Sequence, residues 1–198
     1  MSKNVVRLAI AFAAFGLVAV RAETAADNRL AARFSATTTG VDIGTGEAGK
    51  SDTLKVDLLR WSTDAEREQL LSAFMKGEKD FVDALAKQPS AGYVWTSGSV
   101  GFTLRYAYRL PLEGGGDRVI LAAERRLNSG GPTVWTAAPG PAAHDYPFTL
   151  IELRIAKGVG EGRMSLAGAV GVDAEAKTVA LDGYASAPVL LKNVKREP

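Results

Sequence analysis

The octapeptide Gly44 to Ser51, GTGEAGKS, satisfies the phosphate-binding pattern G-x-x-x-x-G-K-[ST] at every required position. In that chemistry backbone amides wrap the phosphates, the lysine reaches the terminal phosphates and the hydroxyl coordinates Mg²⁺, all at the N-terminus of a helix. The residues that follow, Asp52 to Leu58, alternate like a strand instead and put an acid where the triphosphate would sit. No apolar run ends in a Walker-B-type aspartate; Val119 to Ala123 runs into Glu124. We therefore read Gly44, Gly49, Lys50 and Ser51 as a glycine hairpin loop and expect no nucleotide and no other cofactor.

His144 is the single histidine and stands beside Asp145 and Tyr146 in a Gly/Pro/Ala-rich stretch. A Ser-His-Asp arrangement would need it as base. No serine occupies a G-x-S-x-G elbow, however, and Ser97-Gly98-Ser99 has the texture of a turn. One histidine without cysteine does not assemble a zinc site of the usual composition. Asp42, Glu47 and Asp52 lack the spacing of a calcium loop, so no metal is expected. Carboxylates suffice in number for glycoside hydrolysis, but that chemistry is defined by a separation that sequence does not carry.

Phe102, Leu104, Tyr106, Tyr108 and Leu110 alternate with Thr103, Arg105, Ala107 and Arg109, the clearest period-two signal in the chain. Such a face is either a core stripe whose hydroxyls reach the sheet edge or the wall of an apolar pocket. In the second case Phe102, Tyr106, Tyr108 and the loop residue Trp135 would line the ligand site of a β-barrel. On the opposite face Arg105 and Arg109, with Arg125 and Arg126 on the return strand, are expected to be solvated arginines paired with Glu124 or Glu113 rather than a cationic ladder.

The elements that must position these residues are mostly strands. Phe34 to Ile43 and Leu54 to Leu58 flank the glycine cluster and predict a hairpin. Thr63 and Glu66 form a capping box, with Leu70, Leu71 and Phe74 at helical spacing and Gly77 as the stop. A second short helix carries Phe81, Val82 and Leu85 and closes at Pro89. Strands resume at Phe102 to Leu110, turn through Pro111 to Asp117, and return along Arg118 to Leu127. A long loop, Asn128 to Pro147, holds Trp135 and His144.

Thr149, Ile151, Leu153 and Ile155 are expected to face inward, with Glu152 and Arg154 toward water. A turn through Gly158, Gly160 and Gly162 follows, and Met164, Leu166, Val170 and Val172 resume the alternation. Asp173 to Lys177 turns the chain into Val179 and Leu181, and Val189 to Val194 is the last strand. The expected fold is mainly β (α+β): an antiparallel β-sandwich or partly closed β-barrel with one inserted helical hairpin, about residues 63–88.

Lys3 and Arg7 precede an unbroken apolar run from Leu8 to Val20, thirteen residues long. A spanning helix needs roughly 17 to 25, so the run reads as a signal-peptide core with cleavage after Ala22. The expected organisation is a signal peptide over 1–22, a leader over 23–32 and one domain over 33–198, located in the periplasm or secreted and without a stable membrane anchor. Lys3, Arg7 and Arg21 are three of 24 basic side chains set against 22 acidic ones. Their removal turns the formal charge from +2 to −1, which offers nucleic acid no electrostatic footprint. Zero cysteines exclude disulfides and lipid attachment through an N-terminal Cys.

At Trp61 to Arg67 (WSTDAER), Tyr146 to Arg154 (YPFTLIELR), Gly160 to Ala167 (GEGRMSLA) and Tyr184 to Val189 (YASAPV) the chain resembles a family of small exported bacterial proteins without an assigned role. The resemblance implies an exported single domain and carries no catalytic or ligand residues. The function expected from the residues is non-enzymatic binding of a small apolar molecule or a partner protein. The competing expectation is an exported hydrolase using carboxylates or His144.

Overall fold

The structure is a computed structural model that describes residues 30–42, 48–96, 100–127, 133–134, 146–165, 169–184 and 189–198. Gly44, Trp135, His144 and residues 1–29, which include the segment expected to be a signal peptide, lie outside the described residues. In chain order the elements are β1 (Ala32–Asp42), β2 (Ala48–Leu58), α1 (Asp64–Phe74), α2 (Glu78–Ala86), β3 (Gly92–Thr96), β4 (Phe102–Pro111) and β5 (Asp117–Ala123). They continue with β6 (Thr133–Val134), β7 (Thr149–Ala156), β8 (Val159–Met164), β9 (Val170–Asp173), β10 (Thr178–Leu181) and β11 (Val189–Glu197).

Eight of these strands form an antiparallel closed barrel in the order β1-β2-β3-β4-β5-β7-β8-β11. β11 pairs with β8 on one side and with β1 on the other, so the first and last strands make the seam. Short β6 extends the end of β1, and β9 with β10 forms a separate two-stranded hairpin. The sequence left sandwich and partly closed barrel open; full closure is the answer, and it removes the exposed sheet edges that either alternative would keep.

Closure needs curvature, and four register shifts supply it, between Ser35 and Thr37, between Thr39 and Val41, between Leu104 and Tyr106, and between Leu191 and Val194. Asn193 sits in the last of them at φ 52°, a conformation that asparagine tolerates better than most residues. Along the described strands the lumen is filled by apolar side chains. Leu54, Leu58, Leu104, Leu121, Ile151 and Leu153 are each 1% or less exposed.

A second core lies outside the wall. Leu70 of α1, Phe81 and Leu85 of α2 and Val179 to Leu181 of β10 cover Tyr106, Ile120, Ala122, Phe148 and Leu150. Phe81 sits edge-on to Phe74 at 5.5 Å and to Phe148 at 4.8 Å, centroid to centroid. β5 is thereby buried on both faces, which explains its unbroken run Val119 to Ala123. The helical insert starts with the predicted capping box, Thr63 Oγ1 accepting from the Glu66 amide at 3.2 Å and Glu66 accepting from the Thr63 amide at 2.8 Å.

Ser62 anchors the insert to the barrel. β3 has five residues and pairs with β4 only as far as Leu104, leaving the Ala107 peptide uncovered on that side. Ser62 takes both of its groups: the Ser62 amide donates to the Ala107 carbonyl at 2.7 Å, and its hydroxyl accepts from the Ala107 amide at 3.0 Å.

Several expectations change. The stripe from Phe102 to Leu110 does not share one face: the bulge at Arg105 leaves Phe102 and Leu104 with the lumen core and turns Tyr106, Tyr108 and Leu110 outward beneath the insert. Gly160 and Gly162 lie inside β8 rather than in a turn, because a Cβ on Gly160 would stand 1.9 Å from the Arg154 carbonyl oxygen. Met164 and Val170 belong to different strands and different sheets. The return strand stops at Ala123. Glu152 points outward as expected but is fully buried, because the β9–β10 hairpin folds over it.

Candidate functional site

The outer wall opposite the insert is formed by β3, β2, β1 and β11, and the antiparallel registers set its outward residues in two rows. One row runs Trp95, Lys55, Ser35, Lys195, and the next Tyr93, Asp57, Arg33, Glu197. The alternation along β3 turns Val94 and Thr96 inward and leaves Tyr93 44% exposed, with Trp95 half-buried beside it.

A depression of about 490 Å³ opens here, lined by the charged row, Trp95 and the end of β11. Arg33 grips Asp57 bidentately, with Nε donating at 2.7 Å and Nη2 at 3.1 Å, and this bond raises the arginine above its ordinary pKa. The Ser35 hydroxyl donates to Glu197 in a short bond. Arg33, Lys55, Asp57 and Glu197 balance to zero charge. The site thus sets a flat indole beside paired donors and acceptors.

A second polar cluster sits under the β9–β10 hairpin. Glu152 Oε1 accepts from Arg118 Nε at 2.8 Å and from Arg154 Nε and Nη2 at 2.9 and 2.8 Å; Oε2 accepts from Arg118 Nη2 at 3.1 Å. Arg118 Nη1 donates to Asp173 at 2.5 Å, tying the hairpin to the wall. The Ala176 amide and this arginine hold the Asp173 carboxyl below the usual range. The Arg154 guanidinium lies 3.8 Å over the ring of Tyr184, whose hydroxyl is buried without a partner and is pushed up to about 12 by that burial. The groove beside this cluster measures about 540 Å³. Its arginines spend their donors on Glu152 and Asp173, so the cluster serves as a latch.

A third group lies at the α1 seam. The Tyr108 hydroxyl donates to Asp64 at 2.5 Å and accepts from Arg67 at 2.9 Å, while the Tyr106 hydroxyl bonds Thr178 at 3.1 Å. Burial raises Tyr106, and the bond to Asp64 raises Tyr108, so both stay protonated.

Among the described residues singled out in the sequence, Tyr106 and Tyr108 stack on each other at 6.0 Å between ring centroids, and Phe102 lies apart from them. Phe102 packs on the lumen core, and Tyr106 and Tyr108 lie outside it under the insert. Gly49, Lys50 and Ser51 belong to β2, so the chain after Lys50-Ser51 is a strand and not the start of a helix. Trp135, His144 and Gly44 fall outside the described residues. Arg105 pairs with Glu124 at 2.6 Å as expected, whereas Arg109 lies against Asp117 at 3.9 Å and over the Trp61 ring instead of reaching Glu113. Among the described residues no cluster of three or more His, Cys, Asp or Glu is placed to hold a metal.

The aromatic groove escaped the sequence reading because β3 was not recognised as a strand. The signal was there in Tyr93-Val94-Trp95-Thr96, aromatic and inward residues in alternation, facing Lys55 and Asp57 of a recognised strand. Compared with known proteins, the chain matches no family model, no curated protein and no solved structure.

Proposed function

We propose that this chain is an exported, non-enzymatic binding domain, delivered by the segment 1–22 and working as the β-barrel from β1 onward, with its ligand seated in the outer groove at Trp95. The observation that carries this reading is the pairing of a half-buried indole and an exposed tyrosine with a charge-balanced set of donors and acceptors, on the wall that neither the helices nor the hairpin covers. A lumen filled along its described strands turns the ligand toward the outside.

The test is to isolate the protein from its native compartment and identify co-purified small molecules by mass spectrometry, alongside Trp95→Ala. A molecule retained by the wild type and lost from Trp95→Ala supports the groove. Retention by both proteins sinks it.

A further inference from the structure

Resting on that reading, we infer that the groove's ligand is a neutral saccharide. The first argument is charge. Within the groove's lining two side-chain cations, Arg33 and Lys55, stand among two side-chain carboxylates, Asp57 and Glu197, each already engaged, while Lys195 lies in the same outward row but outside the lining. An ionic ligand of either sign would meet as much repulsion as attraction over the same few ångströms and would lose its hydration for no net return. A neutral ligand meets no such opposition.

The second argument is the pairing of surfaces. A pyranose carries an apolar C–H face and a rim of hydroxyls that both donate and accept. The Trp95 indole is a flat apolar surface set beside Lys55, its direct cross-strand neighbour. One row further, the Asp57–Arg33 bond uses Nε and Nη2 of the guanidinium, which leaves Nη1 as donor and the remaining carboxylate lone pairs as acceptors for vicinal hydroxyls. Tyr93, on the same face two residues away, extends the apolar surface along β3, so successive rings of a chain find a second platform. The groove's volume of about 490 Å³ falls within the range of roughly 300–1,000 Å³ found for small-molecule sites.

The experiment titrates the full mature protein with maltohexaose, cellohexaose and chitohexaose by calorimetry, at 50 and 500 mM salt, for wild type, Trp95→Ala and Trp95→Phe. We expect at least one saccharide to bind, to weaken tenfold or more in Trp95→Ala, and to be recovered to within about threefold in Trp95→Phe. Neutral-ligand binding changes less than twofold between the two salt levels. Thermal melts confirm that both variants are folded. No heat from any of the three saccharides overturns the inference, as does binding indifferent to Trp95. If the saccharides fail while Trp95→Ala still releases a co-purified molecule of another class, the groove stands and only its ligand class falls.

Discussion

Glu152→Gln is the perturbation that most directly probes the latch between hairpin and barrel. The carboxylate is fully buried and receives four N–H bonds from two arginines. The amide keeps the shape, removes the charge and turns an NH₂ toward a guanidinium. Breaking a buried pair on one side costs about 3–5 kcal/mol, most of it from the charge left behind. Here the lower end applies, since Arg118 keeps Asp173 and Arg154, 39% exposed, can turn toward water. A loss of about 3 kcal/mol corresponds to a fall in Tm of roughly 6–12 °C for a domain of this size.

Urea denaturation followed by circular dichroism measures it, and a double-mutant cycle with Arg118→Met isolates the pair, with a coupling of about 1 kcal/mol or more expected. A loss under about 1 kcal/mol, or a coupling near zero, would refute the claim that Glu152 holds the hairpin.

Acid lability is a second expectation. Asp173 is depressed by the Ala176 amide and Arg118, and Glu66 by Arg60 and Thr63. A carboxyl lowered in the folded state stabilises above its unfolded value of about 3.9 for Asp or 4.3 for Glu and loses that contribution as pH falls through the folded value. Urea midpoints should therefore hold steady above about pH 6 and drop on further acidification, less steeply in Asp173→Asn. Gly160→Ala should distort the β7–β8 hairpin, because its methyl meets the Arg154 carbonyl at 1.9 Å; a melting temperature within about 1 °C of wild type would contradict the packing. Thr63→Ala should cost about 1 kcal/mol through loss of the cap, read in the same denaturation assay. If residues 1–22 are removed as proposed, N-terminal sequencing of the protein from its native compartment should begin at Glu23.

Local patterns made much of the barrel legible and non-local events hid the rest. The cap at Thr63, the turn at Lys177 and the alternation in β7 depend on residues within a few positions of one another, so their chemistry is visible in the string. The Phe102 to Leu110 stripe failed for a different reason: period two is only as good as the register, and one bulged residue at Arg105 reassigns every later side chain to the other face. Glu152 reads as a solvent residue because its burial is imposed by a hairpin that comes some twenty residues later in the chain. β8 reads as a turn because three glycines in five residues resemble one, whereas two of them leave room for the neighbouring strand. The groove was hidden for a related reason, since its rows come from four strands and become adjacent only in the folded sheet.

The seam between β1 and β11 also governs how the chain reaches its fold. Ser35 and Glu197 meet across 162 positions, and tying off a loop that long costs about 4.5 kcal/mol in chain entropy beyond the constant term. Every other neighbour in the barrel is joined through a shorter connection, so pairing can spread strand by strand while this one contact waits. A nascent chain therefore carries β1 as a raw edge until Val189 to Glu197 has arrived. The final strand sets the moment of completion, and the molecule passes from an open, sticky sheet to a closed cylinder in a single late step.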